Sequence, residues 1–251
     1  MKKEKQQLNL REESMLRTAQ NKLGLEDSFT FNCRACGSCC RNRDDILLSP
    51  QDLFRASQQL GMSPQEFFDK YCEGYIGHSS NIPIIRLRPK ETPYLATFRD
   101  PRKRATYTCP LLKNDKCIIH AEKPRVCSLF PLGRMYMHNT KEIVYGTNGS
   151  TCGKGGPSCT VREWLALFKI PEKDEAFIKW SNFIAEFSAL GRKIQNWSEK
   201  PKKIIWNAYL SMIYFTYDGA KDFLPQFEKN VSGFKGIMKI VDDCFSGTMD
   251  L

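Results

Sequence analysis

The stretch Cys33-Arg34-Ala35-Cys36-Gly37-Ser38-Cys39-Cys40 packs four thiols into eight residues. Disulfide staples serve small secreted domains that cannot build a sufficient core. A chain of 251 residues has length enough for one core, or for two modest ones. Metal is the remaining explanation. Thiolates at two-residue intervals bring soft ligands to one point, which suits Zn²⁺ or an iron–sulfur cluster. A Cys-x2-Cys turn lets both sulfurs face one metal, whereas neighbours in extended chain point to opposite sides. Cys39 and Cys40 are therefore expected to split between two metal centres, or one of them to bridge.

Outward from this stretch, the composition is globular, with 41% hydrophobic and 12% aromatic residues. No run approaches the ~18 apolar residues of a membrane-spanning helix. The start, Met1-Lys2-Lys3-Glu4-Lys5, leads into no apolar segment, so no signal peptide is read. The expected location is cytoplasmic, where thiols stay reduced and dense cysteines mean metal more often than disulfide. Eleven cysteines, an odd number, exclude complete pairing within the chain.

The formal net charge is +10. Bound cysteines are deprotonated, and eight thiolates on two Zn²⁺ would lower the net charge to about +6. The excess concentrates in 86–125, where eleven Lys/Arg face four Asp/Glu and Arg102-Lys103-Arg104 forms the peak. That segment reads as a solvated hairpin tip with counter-charges for an anionic thiolate site. A docking surface for an acidic protein partner is the alternative. No RNA-binding signature with interleaved aromatics accompanies the charge, so nucleic acid is not the expected partner.

Residues 1–29 are polar with thinly spread leucines and read as an N-terminal helical arm. Ser49-Pro50 and Ser63-Pro64 each set a capping Ser before a first-turn Pro and predict two short helices, the first closed by Gly61. Segments 82–88, 94–98 and 142–146 read as short strands, with a turn at Asp100-Pro101. A capping box, Thr160-Val161-Arg162-Glu163, opens a helix through Trp164 to Phe168. Beyond it Phe177, Trp180, Ile184, Phe187 and Leu190 recur at helical spacing. So do Trp206, Leu210, Ile213, Tyr214 and Tyr217, with a polar break at 196–203 between the two stripes. Such stripes read as core faces rather than cofactor boxes. The expected fold is α+β: a small loop-rich metal-binding core over 30–168 with short strands and helices, then a helical C-terminal extension over 169–251.

Further cysteines follow in order: Cys109-Pro110-Leu111-Leu112, Cys117-Ile118-Ile119-His120, Lys123-Pro124-Arg125-Val126-Cys127-Ser128-Leu129-Phe130-Pro131, and Cys152-Gly153-Lys154-Gly155. With the first cluster they make eight thiolates, enough for two four-coordinate metal sites or two iron–sulfur clusters. This ordered series resembles the YkgJ-type cysteine-cluster family, described as a zinc- or iron-chelating domain, over about residues 30–165. The resemblance implies that Cys33, Cys36, Cys39, Cys40, Cys109, Cys117, Cys127 and Cys152 occupy the family's cysteine positions. The chain departs from the family where Arg usually precedes Pro124 and follows Cys127: here stand Lys123 and Ser128. His120 replaces a frequent Tyr.

Relatives of the family include flagellin lysine N-methylases, so the resemblance also admits an S-adenosylmethionine-dependent protein lysine methylase. An iron–sulfur oxidoreductase is a further alternative. No glycine-rich strand–helix turn of a Rossmann unit is present, and Gly153-Lys154-Gly155-Gly156 is too short for a P-loop. No catalytic base or nucleophile is named by the sequence. The expected bound species are zinc or iron, with an iron–sulfur cluster included. Cys159 reads as a free thiol near a helix start or a spare ligand, Cys72 as a buried thiol on a helical face, and Cys244 as without role. His120 is expected near a sulfur, and His78 and His138 on the surface. Lys123 and Arg125 are expected to offset thiolate charge.

Overall fold

A computed structural model describes residues 21–33, 37–41, 43, 45–78, 80–91, 107–147, 153 and 155–245. The chain divides into two compact units, one from Met1–Ile46 with Pro89–Ile178 and the other from Leu47–Arg88 with Lys179–Leu251.

In the first unit β1 (Lys22–Leu23) and β2 (Ser28–Thr30) lie within the segment read as a helical arm. The helical reading fails there because partners far along the chain claim the backbone: β1 pairs with Gly146 and Tyr145, and β2 with Ser158–Thr160. Residues 1–20 of that arm lie outside the described residues. The strands β6 (Leu132–Met137) and β7 (Glu142–Thr147) form an antiparallel hairpin, completing a three-stranded sheet in the order β1-β7-β6. The expected strand at 142–146 is β7. The strand at 94–98, the turn at Asp100-Pro101 and the basic peak Arg102-Lys103-Arg104 lie outside the described residues.

The core of this unit gathers Phe29, Phe31, Leu129, Leu132, Tyr145, Val161, Trp164, Leu165 and Ile170. Trp164, on the helix Val161–Leu167, meets Phe29 and Phe31 edge-on at 5.7 and 5.5 Å and donates its indole N–H to Leu129 O at 3.1 Å. Two of these residues matter for the cysteines. Phe31 anchors the chain just before Cys33, and Leu129 anchors the short helix that carries Cys127. The Thr160–Glu163 capping box is formed as expected. Arg134 and Asp174, both almost fully buried, pair at 2.8 Å, and Arg134 also lies over the Phe177 ring at 3.8 Å.

In the second unit the sheet order is β3-β5-β4, with β3 Leu47–Leu48, β4 Cys72–Ile76 and β5 Pro83–Leu87. Helices Pro50–Gln59 and Pro64–Tyr71 begin where the Ser-Pro pairs predict, each with a complete capping box, Ser49 with Asp52 and Ser63 with Glu66. Ser63→Ala removes an oxygen that accepts the Glu66 N–H, and the expected cost is about 1 kcal/mol. A thermal midpoint measurement checks it. Cys72 is fully buried, but it opens β4 rather than lying on a helical face.

The C-terminal helices are Glu175–Ile194, which belongs to this unit from Lys179 onward, then Glu199–Tyr209 and Phe223–Phe245. The polar break is shorter than expected. Ser198 stands at the N-cap, and Pro201 is tolerated in the first turn, so the helix starts at Glu199. Leu210–Phe215 continues it as a π-helix. Phe183, Phe187, Tyr209, Phe227 and Phe234 are buried together and form the core of this unit. Of the two predicted stripes Phe187, Ile213 and Tyr214 are buried, whereas Leu190 is exposed and the others are half-buried. Among the described residues no helix is long and apolar enough to cross a membrane. The α+β class with a helical C-terminal part is observed.

Candidate metal centre

Gly37 has φ +66°, a left-handed conformation that side chains rarely adopt, and a Cβ there would meet the Arg41 side chain at 3.0 Å. It turns the chain into a 3₁₀ turn, Ser38–Cys40, closed by the Cys40 N–H on Gly37 O at 2.9 Å. The turn places the sulfurs of Cys39 and Cys40 4.0 Å apart. Tetrahedral Zn–S bonds of 2.3 Å set sulfurs about 3.8 Å apart. The expectation that neighbouring cysteines face opposite sides is thereby overturned, because it assumed extended chain and the chain here is coiled.

The backbone then joins this turn to the second cysteine group. The Cys109 N–H donates to Cys40 O at 2.8 Å, and Arg41 pairs with Thr108. Cys109 leads into a tight hairpin, Leu112–Lys113 with Lys116–Cys117, in which Leu112 stands opposite Cys117. Asn114 and Asp115, at φ 48° and 60°, make the two-residue turn that short hairpins favour. Arg41 forms an ion pair with Asp115 at the hairpin tip. Leu111 and Ile119 are buried and hold the hairpin down. A 3₁₀ turn, His120–Glu122, and Pro124 lead into the helix Arg125–Leu129, where the Cys127 N–H donates to Pro124 O at 2.8 Å.

Electrostatics bind five of these thiols into one group. The hydrogen bond from Cys40 lowers the Cys39 thiol to about 6, with help from the charges of Lys123 and Arg43. The same hydrogen bond holds the proton on Cys40, and burial and the charges of Cys39, Cys109 and Cys127 push it further up. Burial pushes Cys109 up to about 11, with Cys117 and Cys39 adding repulsion. Burial also raises Cys117 and Cys127, and Arg43 partly offsets the rise at Cys127.

The donor set is all sulfur, which fits Zn²⁺, Cu(I) or iron–sulfur chemistry better than harder ions. Among the described residues, no three His, Cys, Asp or Glu side chains already stand where one ion would take all of them. Since Cys40, Cys109, Cys117 and Cys127 hold their protons at neutral pH, metal loading through them must displace protons. Loading is therefore expected to acidify a weakly buffered solution, and apparent affinity to rise with pH through the neutral range. A zinc titration with a pH indicator reads both.

Three further cysteines were expected as ligands. Cys33 is exposed. The Asn32 N–H, just before it, donates to Gly153 O at 2.9 Å, and Gly153, at φ +72°, leaves no room for a Cβ, which would lie 2.5 Å from the Phe31 ring. Cys36 and Cys152 lie outside the described residues. Cys159 pairs with Phe29 in the β2 ribbon and packs on the core, and burial and then Glu163 raise its thiol. It immediately precedes the Thr160 cap of the helix Val161–Leu167. Cys244 is exposed on the last helix. His120, His78 and His138 are all exposed.

Of the two basic residues expected to act on the thiols, Lys123 lowers Cys39 and Cys117. Arg125 instead is buried and donates to Phe168 O at 3.4 Å. The residue missed from sequence is Arg43, which acts on Cys39 and Cys127 while paired with Asp45. Its only sequence signal is a positive charge three residues past the vicinal pair.

Residues 32–153, just under half of the chain, match the family model CxxCxxCC, described as "Putative zinc- or iron-chelating domain". No curated protein and no solved structure matches the chain.

Proposed function

We propose that this chain, which carries the CxxCxxCC domain over 32–153, is a cytoplasmic metalloprotein. In this reading it holds zinc or iron, the latter as iron–sulfur, through the thiolates of Cys33, Cys36, Cys39, Cys40, Cys109, Cys117, Cys127 and Cys152. The observation that carries the reading is the gathering of Cys39, Cys40, Cys109, Cys117 and Cys127 into one mutually interacting all-thiol group, with two sulfurs 4.0 Å apart. Crowded thiols that raise one another's pKa are unfavourable unless a cation uses them, and thiolates that bind a metal are deprotonated outright. Bound metal would supply either a structural tie between these loops or, as iron–sulfur, an electron reservoir. Lys123 and Arg43 would offset the remaining negative charge.

The test is anaerobic purification of the full chain, with metal analysis, acid-labile sulfide and an absorption spectrum on one sample. Iron with matching sulfide and a visible band that bleaches on reduction supports a redox centre. Zinc without sulfide supports a structural tie. A properly folded protein that contains neither, and takes up neither when offered, overturns the reading.

A further inference from the structure

Within the thiol group one pair differs from the rest in exposure. Cys39 is exposed, whereas Cys40, Cys109, Cys117 and Cys127 are half-buried. An oxidant arriving from solvent therefore meets Cys39 first, and the Cys40 sulfur waits 4.0 Å away. An accessible thiol poised beside a second that can resolve it is the arrangement of a redox-responsive cysteine.

We propose that Cys39 and Cys40 are a hydroperoxide-responsive pair whose closure to a vicinal disulfide lowers the metal capacity of the centre. The proposal rests on the metal-chelating reading and adds a regulation to it. The Cys39 sulfur attacks the peroxide O–O bond. One oxygen stays on sulfur as a sulfenic acid, and the other leaves as water, or as an alcohol from an organic hydroperoxide. The Cys40 sulfur then attacks the Cys39 sulfur. The S–S bond forms, the S–O bond breaks, and the departing hydroxide takes the Cys40 proton as water. Two electrons pass from the two sulfurs to the peroxide, which is the oxidant consumed.

Closure brings the sulfurs from 4.0 Å to bonding distance and removes two thiolates from the donor set at once. Adjacent residues have Cα atoms about 3.8 Å apart, below the span of about 4.4–6.8 Å that unstrained disulfides use. Such a bridge is strained and readily reduced, which suits a reversible switch rather than a structural tie.

The experiment uses the full chain, stripped of metal by a chelator under anaerobic reducing conditions, desalted and exposed to hydrogen peroxide. One portion is alkylated, digested and analysed by mass spectrometry, and another is titrated with zinc before and after dithiothreitol. The expected result is loss of two hydrogens in the peptide holding Cys39 and Cys40, with zinc uptake at least halved and restored by dithiothreitol. In Cys40→Ser the sulfenic acid on Cys39 persists and is trapped by dimedone, whereas Cys244→Ser bridges as the parent does. First oxidation at another cysteine, over-oxidation of Cys39 with Cys40 left free, or full zinc uptake by the bridged protein overturns the switch alone. Failure of the reduced, unoxidised control to bind zinc or iron overturns the chelating reading, and the switch with it.

Discussion

Stripping the metal from loaded protein is expected to raise amide hydrogen exchange across 107–129 by about a hundredfold or more, while the amides around Phe187 stay protected. The reason is how little else holds that segment. Its strands are two residues long and its helix spans only Arg125–Leu129. A lone two-stranded hairpin is marginal in water, as is an isolated helix shorter than about 12 residues. Leu111, Ile119 and Leu129 are its buried aliphatic side chains, beside Pro110 and Pro124. Three such side chains at about 1.5–3 kcal/mol each do not match the cost of about 1–2 kcal/mol for every ordered backbone residue. Structural zinc in small domains contributes an apparent ~10–16 kcal/mol, more than those three side chains together, so its loss removes the larger share of what holds the segment. Cys127→Ser should act in the same direction, since Cys127 stands on the helix that Leu129 fixes to the core. Unchanged exchange in 107–129 after verified metal loss would mean that this segment supports itself and that the metal has no structural part.

What could be read in the sequence was local. Ser49 with Asp52, Ser63 with Glu66 and Thr160 with Glu163 each complete a cap within four residues, and all three are formed. The order of the cysteine motifs was legible for the same reason, because ligand spacing is a short-range property. Features that depend on distant partners were not legible. β1 and β2 are too short for any periodicity and exist only because β7 and Ser158–Thr160 pair with them. Phe54 packs on Tyr217, Phe68 on Phe215, and Gln58 donates to Gly219 O, so the two Ser-capped helices share a unit with chain some 150 residues away. The geometry of Cys39 and Cys40 was misread because it hangs on the left-handed φ of Gly37, which a motif does not state. Arg43 was overlooked because a charge acting through space leaves no spacing pattern.

Phe187→Ala is expected to destabilise the second unit by about 3–5 kcal/mol and to leave metal content per folded chain unchanged. Phe187 is 1% exposed and sits where three helices meet. It stacks on Tyr209 at 4.9 Å, meets Phe234 edge-on at 5.0 Å, and touches Phe183 and Trp206 at 5.6 and 6.0 Å. Truncation removes the ring from all four partners and leaves a cavity that stiff aromatic neighbours cannot close. Each lost ring pair adds about 0.5–1.5 kcal/mol beyond the lost buried area. Phe187→Leu refills part of the space and should cost less than the alanine variant. Denaturant unfolding followed by near-ultraviolet circular dichroism measures both. The unit built from Leu47–Arg88 and Lys179–Leu251 contains none of the eight proposed ligands, so native Phe187→Ala protein should carry the parent's metal complement. A cost below about 1 kcal/mol would be the loss expected of a surface position rather than of a core ring. A fall in metal content among chains that remain folded would mean that the aromatic core and the thiol centre depend on each other.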